Sequence, residues 1–318
     1  MICTGGSGFI GTHLVDALLG SGIELLNIDI APPKRDGHNA YWRDCNILDM
    51  GRLRDIFVEF QPSRVIHLAA RTSQEGRSLD DFQDNTIGTA NVLEATRLTP
   101  GVSRIIVTSS QHVRKPGSGL PKNDEDYVPH GLYGESKVIT EQVTRNAKLD
   151  CEWTIIRPTS IWGPMHPVYP AGLWRLIKKG WYLHPRNDPV MRSFGYVENA
   201  IWQIEQILTA PAALVNRKTY YVGDEVTRQV DWINAFSRAL TGRRVRTAPR
   251  SFIYLLAVLG DVLRHLGIGF PMNSSRFFNL TTQNPVPMVP TLKAFGMPPV
   301  SLSRGIETTV RWLRSQEK

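Results

Sequence analysis

The run Thr4-Gly5-Gly6-Ser7-Gly8-Phe9-Ile10-Gly11 constrains this 318-residue chain more than any other feature. It follows the short apolar run Ile2-Cys3-Thr4. It precedes Ile10, Leu14 and Leu18, which recur every four residues as on one face of a helix. Glycines at 5, 8 and 11 in a strand–turn–helix context permit positive φ and close approach of backbone to a pyrophosphate. The helix that follows would turn its free N–H groups and positive dipole end toward that anion. Gly20 and Gly22 stop the helix, and Ile23–Asp29 reads as a strand ending on an acid. Asp29 lies near the spacing of about 20 residues expected for a ribose-binding carboxylate. Such a group accepts hydrogen bonds from ribose hydroxyls and repels a 2′-phosphate, so NAD is favoured over NADP. Lys34 and Arg35, just downstream, soften that preference.

Val65–Leu68, Arg104–Val107, Trp153–Ile156 and Thr219–Val222 read as further strands, and Asn91–Thr96 as helix. Strands alternating with helices imply a Rossmann-type α/β fold, a doubly wound parallel sheet covered on both faces with right-handed connections. The first strand has three residues, fewer than the usual five or so, so either it is short or the natural start lies upstream. From Pro164 onward prolines and aromatics cluster. We therefore expect a Rossmann domain at 1–164, with 192–223 returning to it. A smaller, mixed substrate-binding domain would take 165–191 and 224–318.

The hydrophobic share of 42% argues against global disorder. The net charge of +8 is scattered among acids, which reads as a mildly basic solvated surface rather than a nucleic-acid-binding face. Cys3, Cys45 and Cys151 are far apart, so neither a disulfide framework nor a metal site is expected, and a reducing cytoplasm fits. The N-terminus lacks the basic start of a signal peptide. The apolar stretch Phe252–Gly260 is interrupted by Asp261, Arg264 and His265 and is too short to span a bilayer. We expect a helix packed in the small domain or lining a groove there; peripheral membrane contact is the other reading.

Tyr133 and Lys137 are four apart, one turn from each other on a helix face. A free tyrosine has a pKa of about 10, so ionising it at neutral pH costs roughly 4 kcal/mol. A nearby ammonium, helped by the nicotinamide's positive charge, favours the phenolate, which can take a hydroxyl proton as hydride leaves the same carbon. Val107-Thr108-Ser109-Ser110 ends a strand at the sheet's carboxyl edge, where open α/β sheets bind ligands. Ser110 is the candidate to position the substrate oxygen, with Ser109 as the alternative. A Tyr–Lys pair alone is often surface, and a serine at a strand end is often a turn residue. In this order, behind a dinucleotide turn, the three form an oxidoreductase-type site.

Thr-Gly-Gly-Ser-Gly-Phe-Ile-Gly, then His67-Leu68-Ala69-Ala70, then Tyr133-Gly134-Glu135-Ser136-Lys137 resembles the extended short-chain dehydrogenase/reductase family, and within it the nucleotide-sugar epimerase/dehydratase branch. The resemblance implies NAD contacts from Gly5, Gly8, Phe9, Ile10, Gly11 and Asp29, and from Asn46 and Ile47 beside the adenine, where Asn stands for the family's usual Asp. It implies further contacts from Leu68, Ala69, Ala70, Thr108, Tyr133 and Lys137, the last holding the nicotinamide ribose. Asn85 matches a structural asparagine, and Pro158 and Ile161 lie in a segment that resembles the nicotinamide lining.

The substrate implied is a UDP- or GDP-linked sugar, with Arg192 near the diphosphate and Arg175 a weaker candidate. Ser160 replaces an asparagine common in epimerases. Gln111 and His112 stand where dehydratases carry acids, which argues against a 4,6-dehydratase. His112 is a candidate proton shuttle, a hydrogen-bonded loop histidine being the plainer reading. The segment Ser251–Phe270 and the ending Phe295–Leu302 also resemble the hydroxysteroid-dehydrogenase branch. Epimerase, hydroxysteroid-like dehydrogenase and a dinucleotide sensor without turnover are thus the readings carried forward, the intact Ser–Tyr–Lys set opposing the last. The resemblance also implies a homodimer built through first-domain helices.

Overall fold

The computed structural model describes residues 1–186 and 189–316; residues 187–188 and 317–318, assigned by sequence to the second domain, lie outside the described residues. The first half alternates as expected. It runs β1 (Ile2–Thr4), α1 (Phe9–Gly20), β2 (Leu26–Asp29), β3 (Trp42–Asp44), α2 (Met50–Phe60), β4 (Arg64–His67), α3 (Ile87–Arg97), β5 (Arg104–Thr108), α4 (Gly131–Asn146) and β6 (Glu152–Pro158). Next come β7 (Ser160–Trp162), α5 (Arg175–Lys178), β8 (Leu183–Arg186), β9 (Met191–Tyr196), α6 (Val197–Thr209), α7 (Ala212–Val215) and β10 (Lys218–Val222). The remainder holds β11 (Val226–Arg228), α8 (Gln229–Thr241), β12 (Arg246–Pro249), α9 (Arg250–His265), α10 (Ser274–Thr281), α11 (Val289–Phe295) and α12 (Leu302–Ser315).

Seven strands form one parallel sheet in the order β10-β6-β5-β4-β1-β2-β3. The order reverses at β1, so the crevice between the carboxyl ends of β1 and β4 is the switch point where such sheets bind ligands. The central strands are buried on both faces, which is why Val65-Ile66 and Ile105–Val107 read as continuous apolar runs. One apolar cluster, with Leu14, Leu18, Ile204 and Trp162, lies on one side; the other, with Ile56, Phe57, Val92 and Leu93, lies opposite.

Three expectations need correction. The second strand begins at Leu26, because Ile23 to Leu25 only bring the chain up to the sheet edge. β3 has no counterpart in the sequence pattern: three residues, mostly half-exposed, carry too little signal. The return to the main sheet does not start at 192, since β9 pairs with β7 and antiparallel with β11 in a separate three-stranded sheet. α6 and β10 are the returning elements; α6 packs beside α1.

Candidate active site

The cradle at the head of α1 is fixed by backbone against backbone. Gly5 has φ +78°, and a Cβ there would lie 2.4 Å from the Ala69 nitrogen. A Cβ on Gly11 would lie 2.2 Å from the Gly5 oxygen. Neither neighbour can give way, so both positions require glycine. Gly8 is extended at the helix start and donates to Gly5 O at 3.1 Å. Phe9, Ile10 and Gly11 open the first turn, where amides have no partner within the helix. Sequence reading missed a brace: the buried Asn27 accepts the Gly6 N–H at 2.8 Å and donates to Ser7 Oγ at 3.2 Å.

Asp29 is held at the end of β2 by the N–H groups of Ser7 and Ala31, each at 3.0 Å. Its carboxylate keeps acceptor capacity beyond those two donors. Leu68, Ala69 and Ala70 run half-buried over the carboxyl edge, with the Leu68 N–H on Thr4 O at 2.9 Å. Beneath them His67 is clamped between Thr4 Oγ1 at 2.7 Å and Thr89 Oγ1 at 3.1 Å, and burial, with the Lys137 charge, pushes its pKa down to about 3.

The remaining adenine- and loop-side residues divide. Asn46 is exposed, but its Oδ1 accepts the Leu48 N–H at 2.9 Å, so its Nδ2 donors are what it can offer a base. Ile47 is buried against Gly88, where a Cβ would meet it at 2.6 Å. Asn85 is fully buried: its amide bonds Arg71 O at 3.0 Å, Ser136 Oγ at 2.8 Å and the Arg71 N–H at 2.9 Å. Asn85 therefore ties the loop after β4 to α4 with its own polar atoms saturated. Thr108 Oγ1 is buried without a partner at the end of β5, and Pro158 and Ile161 flank the step from β6 to β7. The glycine cradle, the acid on β2 and this orphaned hydroxyl fit a dinucleotide.

The inner face of α4 carries Tyr133, Lys137 and Glu141 at successive turns, all buried. Ser110 is buried at the end of β5, accepts the His112 N–H at 3.1 Å, and hydrogen-bonds the Tyr133 phenol. Ser109 donates to Glu141 Oε1 at 2.6 Å, so its hydroxyl is committed and Ser110 is the one beside Tyr133. Lys137 Nζ donates to Thr108 O at 2.9 Å, and burial lowers its pKa to about 8 against the opposing pull of Glu141. Burial raises the Tyr133 pKa, the Ser110 bond lowers it, and Lys137 is not among the groups that act on it. Desolvation outweighs an ammonium directed at a carbonyl. The phenol is neutral in this state.

Under this group lies a network that sequence reading missed. Glu141 and Arg157 are both almost fully buried and paired through two bonds of 2.7 Å, Nε to Oε1 and Nη2 to Oε2. Tyr127 OH donates to Glu141 Oε2 at 2.9 Å. A glutamate one turn after Lys137 was the available signal; its partner is sixteen residues on, in β6, and only the fold joins them.

Beside Ser110 and Tyr133 the polar groups are incompletely satisfied. Gln111 Nε2 donates to Ser160 Oγ at 3.0 Å, but its Oε1 has no partner. His112 lies with its ring centroid 5.6 Å from that of Tyr133 and its Nδ1 unpartnered; burial pushes its pKa to about 4, with the charges of His130 and Arg192 adding to the effect. Arg192, on β9, donates through Nη2 to Asn279 O at 2.5 Å and leaves Nε buried and unpartnered. Arg175 is exposed on α5, and nothing in the geometry ties it to this group.

Residues 1–223 match the NAD dependent epimerase/dehydratase family. The mouse sterol-4-alpha-carboxylate 3-dehydrogenase, decarboxylating, is 29% identical over 281 residues, 82% of this chain and 75% of that protein. The UDP-glucose 4-epimerase of Erwinia amylovora is 32% identical over 174 residues, 49% of this chain and 51% of that one. In fold, the UDP-glucose 4-epimerase of Thermotoga maritima, solved with UDP-glucose, superposes with a TM-score of 0.77 at 21% identity, covering 100% and 99% of the two chains.

Proposed function

This chain belongs to the NAD dependent epimerase/dehydratase family, and from that premise we propose that it epimerises a UDP- or GDP-linked sugar through a transient keto-sugar. One observation carries the choice of substrate. Gln111 Oε1 and His112 Nδ1, on the two residues after Ser110, are buried without partners, and so is Nε of Arg192, whose charge acts on His112. Each buried unpaired polar atom costs about 1–3 kcal/mol, and a polyhydroxylated ring on a diphosphate would satisfy all three. A fused hydrocarbon ring would not.

In this reading Ser110 holds the substrate hydroxyl against Tyr133, which would first release its own phenol proton to solvent as the cofactor's positive charge is added to that of Lys137, and whose phenolate then takes the hydroxyl proton as the carbon gives up hydride. NAD, when bound, accepts that hydride and gives it back. Lys137 lies one turn along, at the position of the nicotinamide ribose by family likeness, and Asp29 holds the adenosine ribose. The ketone then presents its other face, and Tyr133 returns the proton as hydride comes back, so substrate and cofactor end with no net redox change. Gln111 and a neutral His112 supply no carboxylic acid for water elimination, which favours epimerisation over dehydration. The free cysteines fit a cytoplasmic enzyme, and we place a homodimer contact on first-domain helices.

A second reading, oxidation of a sterol-like alcohol, is supported by the sterol dehydrogenase relatives, which cover more of the chain than the epimerases. Incubating the NAD-loaded protein with UDP- and GDP-sugars and following the sugar by NMR separates the two. Epimerisation converts one sugar to its epimer with no NADH released, and Tyr133→Phe lowers kcat by about 10²–10⁴ while leaving NAD bound. Inertness toward every nucleotide sugar, together with NADH release from a sterol alcohol, refutes the epimerase reading.

A further inference from the structure

The second domain leaves one helix face open. α9 is buried only through Ile253, Ala257 and Gly260; a Cβ on Gly260 would lie 1.8 Å from Met272 O. The expectation that this apolar helix packs inside the small domain therefore fails for most of its circumference. Phe252, Leu255, Val258, Leu259 and Val262 are 41–64% exposed. At the helical turn of about 100° per residue they fall within an arc of roughly 120°, along about 15 Å of axis. Leu266 and Ile268, 69% and 52% exposed, continue the stripe past the helix end.

Charge indicates what covers it. From Arg243 to Arg276 the sequence carries six arginines and one acid, Asp261. That acid is occupied by the backbone N–H and hydroxyl of Ser274. Among the described residues none of the six arginines is in an ion pair. Arg250 stands in the first turn of α9, with its guanidinium over the Phe277 ring, and Arg264 in the last, so a cation stands at each end of the helix. A second copy docked symmetrically would set these cations against their own images. A ridge of one helix with no pocket also lacks what a protein anchor needs. An anionic bilayer supplies headgroups for the arginines and acyl chains for Leu and Val. No described helix is long and apolar enough to cross a membrane, so the contact is one of lying in the surface.

We propose that α9 seats the protein on an anionic lipid bilayer. α10 packs on α9, and its Asn279 carbonyl holds Arg192, so one helix separates that bilayer from the substrate-side arginine. The proposal is independent of which substrate the site takes.

The test is sedimentation of the full chain with vesicles of phosphatidylcholine, with and without phosphatidylglycerol. Binding is expected only with phosphatidylglycerol present and is weakened by salt. Arg250→Gln with Arg264→Gln lowers it by about 25-fold, at about fivefold per cation. Leu255→Glu with Leu259→Glu lowers it by at least about tenfold, while the urea midpoint and NAD affinity stay at wild-type values because both side chains are exposed. Failure to sediment with anionic vesicles overturns the proposal, as does binding indifferent to the two leucines. So does sedimentation velocity in which the glutamate pair dissociates a wild-type oligomer that binds no vesicles, since that assigns the face to a second copy.

Discussion

Replacing Lys137 by methionine tests how the site holds its charge. Lys137 is 2% exposed, and burial lowers its pKa from the usual 10.5 to about 8. Between those two values the unfolded chain binds more protons than the folded one, so stability rises with pH across that window and the penalty is complete below it. At 1.36 kcal/mol per pH unit, the penalty is about 3 kcal/mol at pH 7 and about 1.5 kcal/mol at pH 9.5. Methionine keeps the stem and removes the charge. It also strips Thr108 O of its partner, which costs about 1–3 kcal/mol at every pH. The Lys137→Met protein is thus expected to be level with wild type or up to about 2 kcal/mol more stable at pH 7. Its advantage then shrinks by about 1.5–2 kcal/mol by pH 9.5, as wild type sheds the proton. Urea unfolding of both proteins at the two pH values measures this, and the difference between them cancels every other titration. A stability difference that does not change with pH would refute the assignment of a buried, strained ammonium.

Glu141→Gln leaves Arg157 charged and 1% exposed without its carboxylate, and should cost about 3–5 kcal/mol in urea unfolding; it also removes the group that raises the Lys137 pKa, so that titration moves below about 8. His67 keeps its neutral form down to about pH 3, so protonation of the unfolded chain drains stability as pH falls from the usual histidine range. His67→Gln, read by thermal unfolding between pH 7 and pH 4, should flatten that loss by close to one proton. Asp29→Asn removes the carboxylate that repels a 2′-phosphate and should raise the relative affinity for NADP by at least about tenfold, as read by titration calorimetry with both cofactors.

Local pattern was enough for the alternating β–α order, the glycine cradle, Asp29 at the end of β2, and the placing of Tyr133 and Lys137 on one helix face. Each rests on spacing within a few residues: a turn that admits only glycine, a period of four along one helix face, an apolar run ending at a sheet edge. Tertiary structure decided what lies between distant segments. It committed Ser109 to Glu141 and left Ser110 for the phenol. It joined Glu141 to Arg157, and saturated Asn85 between two elements. It put β9 in a second sheet, and left the apolar face of α9 in the open where composition alone implied burial. Burial and the direction of a charge are properties of the neighbours a residue acquires on folding. For that reason the sequence could name Tyr133 and Lys137, but only the packed site shows burial raising the pKa of the first and lowering that of the second.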